Sequence, residues 1–98
     1  MKAISEVQIV PVKANNGLVG FASFVLYEAM YCGSVGIFTR PSGDYRLMYP
    51  TRKMIGKDID VYYPINKQLG RAIEEAVTSK FEEVESGDNG RYGRDFTR

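Results

Sequence analysis

The 98-residue chain contains no histidine, no tryptophan and only one cysteine. Without histidine, it lacks the most common general base and the most common metal-binding side chain of proteins. A single thiol, Cys32, excludes an intramolecular disulfide and a zinc site built from several cysteines. We therefore expect a protein that is not an enzyme and uses neither a metal ion nor another cofactor. The scarcity of cysteine also favours the reducing cytoplasm.

Long apolar runs are missing as well. No stretch approaches the roughly 20 apolar residues that a membrane-spanning helix requires. The N-terminus also lacks the basic and then apolar pattern of a secretion signal. We expect a cytoplasmic protein with no membrane partner. With 44% hydrophobic and 26% charged residues, the composition is that of a globular protein with room for one domain.

No charge of one sign dominates the chain, since the formal net charge is +1. Electrostatic binding of a polyanion would therefore depend on local clusters of cations. The balance is +2 over residues 1–65, −2 over residues 66–86 and +1 over the last twelve residues. Cations concentrate at Arg52 and Lys53, with Lys57 close behind, and at Lys67 and Arg71.

Aromatic and β-branched residues predict extended segments in the first half of the chain. Turn-forming residues separate four such segments, which cover residues 7–12, 20–27, 30–39 and 45–49, and the first turn is predicted at residues 15–17. Residues 58–63 alternate and are predicted as a further extended segment. The segment GFASFVLY has two apolar faces and is typical of a central strand covered on both sides. In the third segment, alternation places Val35 and Ile37 on the same face as Tyr31, while Gly33 and Gly36 weaken the strand or mark a bulge.

A helix is predicted to begin at Pro64, because apolar residues recur at helical spacing from residue 66 onwards. They are Leu69, Ile73, Ala76, Val77, Phe81 and Val84. Strands followed by one amphipathic helix predict an α+β fold, with an antiparallel sheet of four to five strands and the helix packed on it. We expect residues 1–86 to form one domain and residues 87–98 a flexible tail, since no apolar pattern continues there.

The best candidate site is the basic segment 51–57, which we interpret as an irregular exposed loop after Pro50. Adjacent cations on such a loop suit contact with phosphates, although a merely solvated loop is the common alternative. Asp58 and Asp60 would face the same way and form a carboxylate pair, or simply a solvated strand face. The seven tyrosines are expected mostly in the core, with base stacking as the alternative.

Residues 50–66, PTRKMIGKDIDVYYPIN, carry a resemblance to a known family. The basic turn Pro50-Thr51-Arg52-Lys53 and the closing Pro64-Ile65-Asn66 are similar to the signature of the stage V sporulation protein G (SpoVG) family. The segments GFASFVLY, PSGDYRLMYP and IEEAVTSKFEEV resemble further elements of that family in the same order, so the similarity covers about residues 4–84. At 27–37 the chain has YEAMYCGSVGI where many members have a run ending in His-Asp, which indicates a divergent member.

The resemblance implies a homodimeric DNA- and RNA-binding regulator linked to sporulation, septation in cell division, or gene regulation. It implies nucleic-acid contact for Arg52 and Lys53, and we add Lys57, Lys67 and Arg71 as neighbouring cations. We expect the dimer to form through strand pairing. The alternative is a protein-interaction module without affinity for nucleic acid, which the near-neutral charge and the glutamate-rich helix would suit.

Overall fold

The chain is described here by a computed structural model over residues 2–87, which contains six strands and one helix. The elements are β1 (Ile4–Asn15), β2 (Leu18–Leu26), β3 (Met30–Thr39), β4 (Tyr45–Met48), β5 (Thr51–Met54), β6 (Lys57–Asp60) and α1 (Lys67–Gly87). The predicted α+β class is confirmed. From residue 88 onwards, the predicted flexible tail lies outside the described residues.

Strands β1 to β4 form one antiparallel sheet in the order of the sequence. Two residues, Asn16 and Gly17, connect β1 to β2, and both have positive φ angles, of 54° and 91°. Two-residue hairpin turns of this kind match the twist of the strands they join, and Asn-Gly adopts them readily. The predicted turn at residues 15–17 is therefore confirmed.

Helix α1 begins at Lys67 and not at Pro64, which corrects the predicted start by three residues. The backbone amide of Leu69 donates a hydrogen bond of 2.8 Å to the side-chain oxygen of Asn66. An asparagine in this position satisfies an amide that has no partner inside the helix, and so it fixes where the helix begins. Pro64 lies before this cap.

The core lies between α1 and one face of the four-stranded sheet. The predicted helical stripe is confirmed, since Ile73, Val77 and Phe81 are buried. On the sheet side, the buried residues are Ala22, Phe24, Cys32, Val35 and Ile37. The ring of Tyr45 on β4 packs edge to face on Phe81, with centroids 5.2 Å apart.

The other face of the sheet is left uncovered by residues 2–87. We call it the open face, and it carries Val10, Phe21, Tyr31 and Met48 together with Gln8, Ser23 and Ser34. Strand β2 is central, as expected, but the expectation that both of its faces are covered is wrong. Ala22 and Phe24 are buried beneath the helix, whereas Phe21 on the opposite face is 41% exposed.

The two neighbours of β2, strands β1 and β3, each contain a bulge opposite the same part of β2. The register of β1 shifts between Ser5 and Gln8, and that of β3 shifts opposite residues 22–24. Each shift contains a residue other than glycine with a positive φ, Glu6 at 50° and Ser34 at 62°. A bulge adds one residue to a strand and so reverses which face the following side chains take.

The bulge in β3 overturns one prediction from simple alternation. Val35 and Ile37 are fully buried against the helix, whereas Tyr31 is 72% exposed on the open face. The extra residue at the bulge reverses the alternation of the strand, so Tyr31 and the pair Val35 and Ile37 lie on opposite faces of the sheet. Tyr31 therefore belongs to the solvent side of the sheet and not to the core.

Candidate nucleic-acid interface

The basic segment is a strand pair and not the irregular loop that the sequence suggested. Strands β5 and β6 form a two-stranded antiparallel ribbon, joined by Ile55 and Gly56. Gly56 has a φ of +79° and no atom near the position of a side chain, so its backbone can reverse the chain tightly. All eight strand residues of the ribbon are exposed.

The register of the ribbon separates its charges onto two faces. Residues paired across two antiparallel strands project to the same side. Arg52 pairs with Ile59, and Met54 pairs with Lys57. One side, which we call the cationic face, therefore carries two cations with two apolar side chains and no carboxylate.

The opposite side of the ribbon, which we call the acidic face, holds the remaining candidates. Lys53 pairs with Asp58, and Thr51 pairs with Asp60. The two aspartates share a face, as predicted, but a cation lies opposite one of them. Arg52 and Lys53, adjacent in sequence, thus point to opposite sides of the ribbon.

The cations of the ribbon are free to meet a ligand. Between residues 2 and 87, the ion pairs are Arg40 with Asp44 and Lys80 with Glu83, and neither includes a ribbon residue. The side chains of Arg52, Lys53 and Lys57 are all exposed. None of the three therefore forms an ion pair with a carboxylate of residues 2–87, and none is desolvated by that part of the protein, although Lys53 lies opposite Asp58.

Lys67 and Arg71 lie one turn apart on the exposed side of α1. The helix packs against the four-stranded sheet, and six residues, 61–66, separate its start from the ribbon. In the described chain, no hydrogen bond or ion pair joins these two cations to β5 or β6. The structure therefore brings Arg52, Lys53 and Lys57 into one ribbon and places Lys67 and Arg71 on the helix.

Two hydrogen bonds hold the base of the ribbon, and one of them joins it to the main sheet. The amide of Val61 donates to the carbonyl of Pro50 at 3.0 Å, which extends the pairing by one step. The hydroxyl of Tyr62 donates to the carbonyl of Gly33 on β3 at 2.7 Å. The tip of the ribbon thus projects from an anchored base.

A cluster of tyrosines lies beneath that base. The rings of Tyr49 and Tyr62 meet edge to face with centroids 5.9 Å apart. Burial, and then the nearby negative charge of Glu74, raises the pKa of Tyr49 to about 12. Burial also raises the pKa of Tyr62 to about 12. Both hydroxyls are therefore neutral at physiological pH and cannot act as bases there.

Cys32 adjoins this cluster and is buried, and the burial raises the pKa of its thiol. Across residues 2–87, no three acidic or cysteine side chains lie close enough to hold a metal ion. The same part of the chain contains no helix with the length and apolar character needed to cross a membrane.

One potential site residue escaped the interpretation of the sequence. Alternation predicts Tyr31 on the same face as Val35 and Ile37, but it lies on the open face beside Phe21. The glycines of β3 were a correct signal for a bulge. They did not indicate which residue would take the positive φ, which is Ser34.

A scan of the sequence against protein-family models found no match, and a search of curated proteins found none either.

Proposed function

We propose that this protein binds nucleic acid, DNA or RNA, as a cytoplasmic regulator of the SpoVG type linked to sporulation, septation or gene regulation. The observation that carries the proposal is the β5–β6 ribbon, which exposes Arg52, Lys53 and Lys57 without an ion pair to any residue of 2–87. The resemblance of residues 50–66 to the SpoVG signature supports it. A role in catalysis forms no part of the proposal.

The cationic face is the side of the ribbon that suits a nucleic acid. Arg52 and Lys57 would contact phosphates, because Lys and Arg side chains supply most of the affinity of such interfaces. Met54 and Ile59 lie between them and offer apolar contact to sugars or base edges. A two-stranded ribbon fits the major groove of duplex DNA, which is about 12 Å wide. On the acidic face, two carboxylates would repel the same ligand.

We further propose a homodimer formed by strand pairing at an edge of the main sheet. The edge strands are β1 and β4. β1 contains Pro11, which has no amide to donate, and the bulge at Glu6, and both features oppose pairing. β4 pairs with β3 without a register shift and is the better edge. Two copies would present two ribbons.

The experiment that tests nucleic-acid binding is a titration of duplex DNA at several salt concentrations, with the wild type and with Arg52→Ala/Lys57→Ala. Four phosphates contacted by a dimer give a slope of log affinity against log salt near −3.6, or roughly a hundredfold loss between about 50 and 200 mM salt. The double variant should bind weakly and show a flatter slope. Lys2→Ala/Lys13→Ala removes the same charge from exposed positions elsewhere. This control variant should keep the affinity and the salt slope of the wild type.

Equal affinity and slope in the wild type and the ribbon variant would contradict the proposed site. Absence of binding to DNA and RNA by the wild type would contradict the function itself. A protein-interaction module would then be the better interpretation of the function. The first surface to test for protein binding would be the ribbon, with its exposed Met54, Ile55 and Ile59.

A further inference from the structure

The ring of Tyr31 lies against the backbone of its own strand. A side chain built on Gly33 would place its first carbon 2.9 Å from both Cε2 and the hydroxyl oxygen of Tyr31. Real contacts of this kind are not that close, so the ring occupies the space that a side chain at position 33 would need. With one side resting on Gly33, the ring is still 72% exposed.

Beside this ring, the open face contains a shallow hollow of about 420 Å³. Phe21 and Tyr31 supply aromatic walls, and Val10 adds an apolar one. Its polar groups are the amide of Gln8 and the hydroxyls of Ser23 and Ser34. The bulge in β3 contributes directly to this lining, since Ser34 is the residue with positive φ.

On the β2, β3 and β4 side of the hollow, the charge suits an anion, whereas β1 contributes the exposed Glu6 two residues from Gln8. Strands β2 and β3 contain no charged residue, and the only one in β4 is Arg46. Its guanidinium lies 5.8 Å from the centre of the Phe38 ring. A phosphate chain crossing these three strands would therefore meet one cation and no carboxylate.

We propose that the open face binds single-stranded nucleic acid, with an unpaired base stacked on Tyr31 and its edge directed to Gln8, Ser23 and Ser34. The inference rests on the proposed function and names the class of nucleic acid. Exposed aromatic rings on the face of an antiparallel sheet provide stacking surfaces for unpaired bases. Amide and hydroxyl groups can donate to or accept from a base edge. Bases inside a duplex are stacked on each other and cannot use such a surface.

A second copy of the chain fits this face less well. Stacking two copies through it would bury the Gln8 amide and the Ser23 and Ser34 hydroxyls. Buried polar groups of this kind are costly unless each finds a partner. Pairing through the β4 edge, as proposed above, would leave the face open to a ligand.

The test compares binding of single-stranded oligodeoxythymidine with binding of the same strand annealed to oligodeoxyadenosine. Tyr31→Ala should weaken single-strand binding by roughly 5- to 150-fold, the range typical of losing one stacked aromatic. Tyr31→Phe should bind like the wild type, because it keeps the ring. Duplex binding should change little in either variant. The salt slope should also persist in Tyr31→Ala, since stacking releases no counterions.

Tyr63→Ala is the matched control, because Tyr63 is an exposed tyrosine, at 55%, that does not line the hollow. It should leave single-strand binding unchanged. Tyr31→Leu keeps an apolar side chain without the aromatic ring, and it replaces Tyr31→Ala if the alanine variant is unstable by circular dichroism. The leucine variant should show a comparable loss.

Wild-type affinity for the single strand in Tyr31→Ala or Tyr31→Leu would overturn the inference. The proposed function would still stand if Arg52→Ala/Lys57→Ala weakened binding of duplex DNA. A wild-type protein that binds neither probe would overturn the proposed function and this inference with it. A Tyr31 variant that converts a dimer to a monomer in light scattering, at unchanged single-strand affinity, would assign the face to self-association and overturn the inference too.

Discussion

The hydroxyl of Tyr62 donates a 2.7 Å hydrogen bond to the carbonyl of Gly33, 29 residues earlier in the chain. This bond links the segment that follows the ribbon to the bulged region of β3. Tyr49, whose ring contacts that of Tyr62, differs from it in hydrogen bonding. The Tyr49 hydroxyl is buried without a hydrogen-bond partner among the described residues. The two tyrosines therefore form a natural pair for comparing a satisfied and an unsatisfied hydroxyl.

Tyr62→Phe should lower the free energy of unfolding by about 0.5–1.5 kcal/mol, because it removes a net favourable hydrogen bond. Tyr49→Phe removes a buried hydroxyl that has no partner, so it should be neutral or slightly stabilising. Urea unfolding followed by circular dichroism measures both changes. An equal loss in the two variants would mean that the hydroxyl of Tyr49 has a partner after all.

The raised pKa values of the same two residues predict sensitivity to alkali. Both have a pKa of about 12 in the folded protein and an ordinary value near 10 in the unfolded chain. The folded state therefore holds these protons at pH values where the unfolded chain has released them. Their contribution to stability is complete below about pH 10 and is lost as the pH rises towards 12.

The double variant Tyr49→Phe/Tyr62→Phe should lose less stability between pH 10 and 12 than the wild type does, whatever its stability at pH 7. Unfolding in urea at a series of pH values gives the comparison. Identical slopes against pH in the two proteins would place the alkaline transition on other groups.

The two faces of the ribbon predict unequal roles for its three cations. Arg52→Ala and Lys57→Ala should each weaken binding of duplex DNA, whereas Lys53→Ala should weaken it less, because Lys53 shares its face with Asp58 and Asp60. All three variants remove one positive charge from an exposed strand and should remain folded. The affinity at one fixed salt concentration ranks them. A larger loss in Lys53→Ala than in Arg52→Ala would mean that the acidic face makes the contact.

Elements with one buried side were predictable from the sequence, because their apolar residues recur at regular spacing. Elements exposed on both sides were harder to predict, because burial imposes no such spacing on them. Ile73, Val77 and Phe81 recur at helical spacing because one side of α1 is buried, so the helix was predictable. Residues 58–63 alternate between charged and apolar side chains, so an extended segment was predictable there, and β6 covers Lys57–Asp60. Strand β5 is exposed on both sides and its residues do not alternate, so the sequence predicts a loop where the structure has the first strand of a hairpin.

The candidate site was predictable in part for a related reason. The cations are visible in the sequence, but the separation of Arg52 from Lys53 depends on their positions in a strand. On the open face, assigning Tyr31 required knowledge of an added residue in β3, and Ser34 takes its positive φ without being a glycine. A positive φ in a residue other than glycine is strained, and it persists only because the surrounding structure holds it. The sequence near Ser34 therefore does not reveal it.

The proposed dimer predicts a mass in solution of about twice the 11.0 kDa of the chain, measured by light scattering. Pairing at the β4 edge would use the backbone of that strand and needs neither the ribbon nor the side chain of Tyr31. Arg52→Ala/Lys57→Ala and Tyr31→Ala should therefore keep the mass of the wild type. A strict monomer at high micromolar concentration would contradict strand pairing between copies.

Gly33→Ala tests whether the Tyr31 ring must rest on the backbone at Gly33, without altering any group proposed to touch the ligand. The added methyl would clash with the far end of the Tyr31 side chain. That end is exposed and able to swing away, so stability should fall only slightly, whereas the ring should leave its place on the strand. Single-strand affinity should consequently drop towards that of Tyr31→Ala, while duplex affinity and the salt slope stay at the wild-type level.

Gly36→Ala is the control for adding a methyl to the same strand. Its nearest contact would be the ring of Phe38, at 3.2 Å, and not Tyr31. It should leave single-strand affinity near the wild-type value. In the double variant Gly33→Ala/Tyr31→Ala, the glycine substitution should add no further loss, because two changes acting through one ring are not additive. Additive losses would show that Gly33 affects binding by another route, and the position of the Tyr31 ring would then not be its cause.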